Sequence, residues 1–368
     1  MSSLIVEVCK IDDIYPHKNA EKLDIAKIKG WEVCIGKGQF KVNDKVIYFP
    51  VDSVLPQELS DKLNITKYLT KGRVRAASLR GLTSYGTIMP CELDLPIGTD
   101  VAEMFGITKF EQKIKCTDGD TEKQNLSFHT YFSMENLRNY PDAFLDGEEV
   151  YVSEKIHGQN ARVGLIQVAN DNGEKVWSWA AGSHDVQRKQ YITKTDGIQV
   201  ESVFWKALTP EVKELLVILS DCEYKAEEID NCPLVKSDEG VNILLFAERY
   251  GSGCQDLGYG MSNGNFGFRY FDITYNGKYL DCVDKYHYFN KFNIETVPIL
   301  YNGPFSMVKM LELSVGNTTL GDNHVREGIV IVSALEKPYI CDKKVMNRKQ
   351  FKLINPDYLT RKNGTEFH

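Results

Sequence analysis

Ser153-Glu-Lys155-Ile-His157-Gly158-Gln-Asn160 follows directly on the apolar alternation Glu149-Val-Tyr-Val, and its reading decides the fold. Alternation of this kind marks a strand, so Lys155 stands at a strand's exit. The glycine three residues on lets the chain turn away, which presents the lysine amine to a bound phosphate. Taken alone the segment is a modest signal, because four-residue patterns recur by chance and most lysines are solvated surface groups.

Four more segments follow Lys155 in the order such a site requires: Phe246-Ala-Glu248-Arg-Tyr-Gly251, Tyr270-Phe271-Asp272-Ile273, Glu327-Gly328-Ile-Val-Ile and Arg348-Lys349-Gln-Phe-Lys352-Leu-Ile-Asn355. Each reads separately as an ordinary turn or buried strand end. Together, and in order, they resemble the motif series of the covalent nucleotidyltransferases, the ATP-dependent ligases and capping enzymes. The resemblance covers the chain from about Tyr140 to Leu359. The KxHG form and the Phe-Asp-Ile segment are similar to those of nick-sealing RNA ligases of phage and of the kinetoplastid editing machinery. DNA ligases and capping guanylyltransferases more often show KxDG, so His157 favours RNA ligase. A non-catalytic RNA-binding protein on a degenerate transferase fold is the rival from another class, and the intact Lys155, Glu248 and Glu327 set argues against it.

The resemblance implies a reaction on ATP and RNA. Lys155 attacks the α-phosphate and expels pyrophosphate; AMP passes to the 5′-phosphate of an RNA strand, and a 3′-hydroxyl closes the phosphodiester. An ordinary lysine, with a pKa of about 10.4, is protonated near neutrality, so cations such as Lys352 and Lys349 are expected beside it. Glu327, with Glu248, is the expected holder of Mg2+ or Mn2+, since hard cations prefer oxygen ligands. Glu154, Ile156, Asn160 and Glu248 are assigned to the nucleotide, with Phe271 stacked on adenine. Asp272 and Arg188 are assigned to the substrate phosphates, Asp272 also fixing its strand end. His157 keeps two readings, a satisfied structural imidazole or a ligand of the 5′-phosphate end.

The chain departs from the family pattern in three places. Where many relatives follow Glu-Gly-x-Val-x with a lysine it has Val332, and where the last motif often reads Lys-x-Lys it has Lys352-Leu-Ile354. The cationic load is then lighter, or comes from Lys349, Arg348 or Arg326. The arginine expected soon after the first motif is not clear either, and His184 or Arg188 are the candidates in Gly182-Ser-His184-Asp-Val-Gln-Arg188-Lys189.

Ahead of this core, Leu4 to Pro90 shows short apolar alternations broken by Gly, Pro, Asn and Asp, the pattern of a small antiparallel barrel. Ile11-Asp-Asp-Ile-Tyr-Pro16-His17-Lys-Asn19-Ala20-Glu-Lys22-Leu23, Gly-Trp31 and Gly38-Gln-Phe-Lys-Val-Asn-Asp44 resemble an OB-fold of the structure-specific tRNA-binding type. An OB domain ahead of the ligase core, with only 16 residues after Lys352, resembles the Naegleria-type RNA ligases. Lys67, Lys71, Arg73, Arg75 and Arg80 fall in a stretch without an acid, and in a strand Lys71, Arg73 and Arg75 would share one face. A phosphate-tracking stripe and a charged edge that resists aggregation remain equal readings.

The 368 residues, 42% hydrophobic and 26% charged, suffice for two cores. The expected fold class is α+β: an N-terminal OB-fold β-barrel over residues 1–110, a linker over 111–135, and a nucleotidyltransferase (adenylyltransferase) domain of antiparallel sheets with flanking helices over 136–368. Helices are expected near Val200–Leu208 and Pro210–Leu219. A net charge of -7 excludes a protein that coats nucleic acid on every face, so RNA contacts come from local basic patches. Nine scattered cysteines without a CxxC pair exclude a zinc ribbon and a disulfide framework. With no signal segment and no membrane-length apolar run, a soluble, intracellular, monomeric protein is expected.

Overall fold

Two facing sheets carry the later motifs. The computed structural model describes residues 4–110, 120–123, 125–169, 172–193, 196–220, 241–321, 323–341, 344–361 and 364–365. In the strand Glu149–Lys155 the side chains of Val150, Val152 and Glu154 are buried while Tyr151, Ser153 and Lys155 point the other way. This strand pairs antiparallel with Gly328–Ser333 on one side and Ile299–Pro304 on the other. Gln350–Ile354 and then the short Glu135–Asn136 complete a five-stranded sheet, the last pair being parallel. Val150, Val152, Ile329, Ile331, Phe351 and Leu353 form its closed face over Met310 of the helix Met307–Ser314. Its other face, the cleft face, carries Lys155 and Lys352 and turns towards the second sheet, with Tyr151 stacked on Tyr286 and Gln350 bonded to Tyr131.

Opposite lies a six-stranded sheet in the order Gln187–Arg188, Lys175–Ser183, Gln159–Ala169, Ile243–Gly251, Phe266–Tyr275, Lys278–Tyr279. Ala161, Val163, Leu165, Trp177, Leu245 and Ile273 close one face against the helices Pro210–Ser220 and Cys282–Lys291. The other face, with Ile166, Leu244 and Phe246, is covered by Phe128 and Tyr131. Those two residues belong to the expected linker; of that stretch 111–119 and 124 lie outside the described residues, and in its described part Phe128, Tyr131 and Glu135 are buried while Leu126 is exposed.

The helix expected near Val200–Leu208 is not formed. The stretch holds an edge strand, Gln199–Glu201, and a single turn, Trp205–Ala207. Tertiary contacts override its helical spacing: the Trp205 indole donates to the Arg188 carbonyl at 2.8 Å, and Phe204 is drawn into the core. The helix Pro210–Ser220 lies where the sequence puts one.

At the N-terminus, Glu7–Lys10, Lys45–Phe49 and Thr87–Pro90 make one three-stranded sheet, and Asp13–Pro16, Leu23–Ile28 and Trp31–Gly36 make a second. A hairpin, Ala76–Leu79 with Leu82–Tyr85, completes the unit. No continuous ladder closes these strands into the expected barrel among the described residues; the chain passes from one sheet to the other at Ile11 and Asp12, whose N–H groups donate to Asp44 and Lys27. Their apolar faces still share one interior. That interior runs on into the C-terminal half: Ile11, Ile28, Trp31 and Tyr85 belong to the same buried cluster as Ile156, Tyr259, Tyr358 and Leu359. The Trp31 indole also donates to the Asn139 side chain at 2.6 Å.

The expected stripe of Lys71, Arg73 and Arg75 is not a strand face. Lys71 and Gly72 turn at φ 54 and 75, which breaks the alternation that would have aligned the three side chains. Arg73 points inward, its guanidinium 2.6 Å from the wholly buried Asp52 and 2.8 Å from the Gly364 carbonyl. Thr365 donates to the second Asp52 oxygen at 2.6 Å, and Arg75 donates to the Arg361 carbonyl. Arg73 and Arg75 therefore sew the N-terminal unit to the last segment of the chain, while Lys67, Lys71 and Arg80 stay exposed. Removing Arg73 leaves a buried carboxylate without its cation, so Arg73→Ala should lower the unfolding free energy by about 3–5 kcal/mol. Lys71→Ala should change it by less than about 0.5 kcal/mol, both read by chemical denaturation.

Candidate active site

Lys155 and Gly328 are register partners, so Lys155 and Glu327 leave their strands side by side. The lysine Nζ donates to Glu327 Oε1 at 2.6 Å; the carboxylate is wholly buried and the lysine nearly so. Ile156 is buried in the cluster shared with the N-terminal unit and anchors the chain directly after the lysine. At Gly158 a Cβ would lie 2.2 Å from the Arg249 carbonyl oxygen and 3.0 Å from Glu248 Cγ. Only glycine lets the strand Gln159–Ala169 come close enough to seat Asn160 directly opposite Glu248. The half-buried Glu248 carboxyl is pushed up to about 8, first by burial and then by Glu327, against the pull of Lys155 and the Gly158 N–H.

His157 is buried beside this cluster. Its Nε2 lies 3.0 Å from Asp256 Oδ1, its Nδ1 3.1 Å from the Tyr358 hydroxyl and 3.7 Å from Glu327 Oε2. Its backbone N–H donates to the Tyr259 hydroxyl at 2.6 Å. Asp256, Tyr259 and Tyr358 carry no motif of their own and were not anticipated. Tyr358 alone had a signal, since Asn355-Pro356 is a helix start that carries it back over the site.

Other anticipated residues are placed elsewhere or otherwise engaged. Both Glu154 oxygens are taken by Thr318 and Thr319, whose hydroxyls and one backbone N–H donate to them, so Glu154 braces the lysine strand's exit against the segment 318–319. Phe271 is the extra residue at a bulge between Ile243–Gly251 and Phe266–Tyr275, half-buried and edge-on to Tyr131 at 5.1 Å. Asp272 turns inward, with Lys285 at 2.6 Å, Arg348 at 2.7 Å and the Tyr131 hydroxyl also donating to it. Burial alone would raise its carboxyl, but Arg348 and Lys285 outweigh burial and hold it below the ordinary carboxylate range. Both of its oxygens are taken by these partners. Arg348 is shared with Glu336 at 2.7 Å and lies over the Tyr279 ring at 3.8 Å.

Strand parity separates the two lysines of the last motif. Lys352 pairs in register with Val330, whose other partner is Ser153, so it shares the cleft face with Lys155. Lys349 emerges on the opposite side and binds Glu148 at 2.6 Å over the Phe144 ring. Arg188 pairs with Asp120. Among the described residues no group of three or more His, Cys, Asp and Glu side chains could hold a metal by itself. Likewise no helix is long and apolar enough to cross a membrane.

Facing sheets with a lysine at a strand exit, two carboxylates and a cation on the cleft face make up a nucleotidyltransferase-type core. A family model described as RNA ligase matches residues 148–354, more than half of the 368, and the chain belongs to that family and is an RNA ligase. An OB-fold domain model matches residues 5–91, which makes the N-terminal unit an OB-fold domain. Solved structures of the Naegleria gruberi RNA ligase share the fold. An arginine-to-alanine variant with ATP and manganese is 22% identical and superposes with a TM-score of 0.72 over 99% of this chain and 100% of that one. A lysine-to-methionine variant with AMP and manganese is 21% identical, with a TM-score of 0.71 over 97% and 99%. No curated protein matches the sequence.

The coupling of the two carboxylates is measurable. In protein carrying 13C-labelled glutamate, the Glu248 carboxyl should titrate near pH 8. Lys155→Met removes a positive neighbour and should raise that midpoint, whereas Glu327→Gln removes a negative one and should lower it.

Proposed function

We propose that this chain joins a 3′-hydroxyl to a 5′-phosphate in nicked or otherwise apposed RNA ends, using ATP and an AMP carried on Lys155. The observation that carries the reading is a nearly buried lysine amine 2.6 Å from Glu327, at a strand exit on the same sheet face as Lys352. The Naegleria ligase structures hold ATP or AMP, which supports ATP as the nucleotide here.

In the first step the Lys155 nitrogen forms a bond to the α-phosphorus of ATP as the bond to pyrophosphate breaks, and the amine proton is lost. In the second, an oxygen of the RNA 5′-phosphate takes the AMP and the N–P bond breaks, returning the lysine amine. In the third, the 3′-hydroxyl attacks the activated 5′-phosphate and AMP leaves. Each step is a phosphoryl or nucleotidyl transfer, so positioning and charge neutralisation dominate. Lys352 supplies fixed positive charge on the cleft face. Phe271, with its half-exposed ring at the bulge, offers the stacking surface for adenine, and Asn160 lies beside Glu248 to orient the phosphates.

Glu248 and Glu327 feel each other's charge, and a carboxylate pair of this kind fits a hard divalent cation. Glu327 and Glu248 would hold Mg2+ or Mn2+ through oxygen, and the bound ion would neutralise phosphate charge while water and nucleotide oxygens complete its shell. Residues 136–368 are the catalytic unit in this reading, and 1–110 grip the RNA through exposed cations such as Lys67, Lys71 and Arg80, in a monomer.

Mass spectrometry of the protein mixed with ATP and manganese should find an AMP adduct on Lys155, absent from Lys155→Ala; label from GTP alone would favour a capping guanylyltransferase instead. Lys352→Ala should slow adduct formation by roughly 10²–10³-fold, the cost of losing one preorganised electrostatic partner, whereas Lys349→Ala should stay within a few-fold. Equal losses in both variants would reject the assignment by strand face. Nicked duplexes with RNA or DNA on either side of the nick separate an RNA ligase from a DNA ligase, which would seal the all-DNA nick best.

A further inference from the structure

We infer that Asp256 is a positioning residue that fixes the orientation and tautomer of His157, and through it the carboxylate partner of Lys155; the inference rests on the ligase reading above. The His157 ring is 2% exposed and held on three sides, by Asp256 at Nε2, Tyr358 at Nδ1 and the edge of Glu327. Asp256 Oδ2 receives the Arg361 guanidinium at 3.0 Å, and a carboxylate so paired can only accept. The hydrogen on the imidazole therefore sits on Nε2. In the neutral ring Nδ1 is then an acceptor, and the Tyr358 hydroxyl donates to it.

Glu327 is wholly buried between Lys155, which donates to one of its oxygens, and His157, which flanks the other. An imidazole free to turn would open that flank, so whatever holds the ring also holds the carboxylate against the lysine. The holding groups come from separate parts of the chain. Asp256 follows the strand Ile243–Gly251, Tyr358 lies on the helix Pro356–Thr360, and Arg361 comes directly after that helix. The Arg361 carbonyl accepts from Arg75 of the OB-fold domain. A path of direct contacts thus runs from the seat of that domain through Arg361, Asp256 and His157 to Glu327. Nothing in the motif series points to Asp256 or Arg361. A surface ion pair alone would not explain why one oxygen of Asp256 faces a buried ring while the other faces the last segment.

Single-turnover rates of lysine adenylylation, AMP transfer and sealing, measured with ATP, manganese and a nicked RNA duplex, test this. Asp256→Asn should slow by about 10–100-fold whichever step His157→Ala slows, as is usual for a group that orients a functional imidazole through its other nitrogen. The KM for ATP and the melting temperature should stay near wild type, and Asp256→Glu should recover part of the rate. Asp256→Asn should cost nothing further in a His157→Ala background, or in His157→Gln where the alanine variant does not fold. Multiplicative losses in the double variant, loss in a different step, or loss that follows a lowered melting temperature would overturn the inference. Wild-type rates in Asp256→Asn would overturn it while leaving the ligase reading intact; no AMP adduct on the wild-type chain would overturn both.

Discussion

The contact between Lys155 and Glu327 depends on two adjacent strands ending level with one another. Side chains alternate at period two, so a slip of one residue between Glu149–Lys155 and Gly328–Ser333 would exchange the core and cleft faces of one of them. Val150 and Val152 on one strand, with Ile329 and Ile331 on the next, make that slip costly because all four are completely buried. Gly328 adds a steric constraint, at φ 155 with its missing Cβ 2.2 Å from the Leu353 carbonyl oxygen. The apolar face thus sets the position of a polar pair that it never touches.

Two buried charge networks stand behind this arrangement. Asp272, Lys285, Arg348 and Glu336 tie the strand Phe266–Tyr275 to the helix Cys282–Lys291 and to the start of the last motif. Asp52, Arg73 and Thr365 tie the OB-fold domain to the end of the chain. Burying charge is expensive, and such networks are tolerable only when each member is satisfied by several partners, as Asp272 is by Lys285, Arg348 and Tyr131. Their directionality selects one docking geometry where apolar contact alone would accept several. Because Tyr358 packs with Trp31 and Tyr85 in one interior, the OB-fold domain is part of the surroundings of Lys155 rather than a tethered appendage.

The sequence was informative where local pattern and final structure obey the same rule. Alternation located the strand Glu149–Lys155, and the motif order picked out Lys155, Glu248 and Glu327, which the fold brings together. It failed where partner identity depends on contacts remote in the chain. Asp272, Arg73 and Arg188 look like free charges in the sequence, and each is consumed by a partner between 13 and 76 residues away. Lys349 and Lys352 look interchangeable until strand parity sends one to each face. Asp256 was illegible because an aspartate in a loop has no spacing that announces an imidazole beside it, and for Tyr358 the Asn355-Pro356 helix start marked the helix but not the partner.

The departures from the family pattern acquire a physical reason in the same way. Val332 stands on the cleft face in register with Tyr151 and Gln350. Tyr151 stacks on Tyr286 of the helix Cys282–Lys291 at 5.6 Å and an interplanar angle of 19°. Gln350 is bonded to the Tyr131 hydroxyl. A lysine at 332 would have to carry its charge between these packed groups, where desolvation opposes it. Ile354, where a second lysine is common, is 2% exposed and belongs to the interior shared with Tyr358 and the OB-fold domain. The positions that would have carried extra cations have been given over to closing the cleft floor and seating the OB-fold domain, which concentrates the positive charge of this face on Lys155 and Lys352.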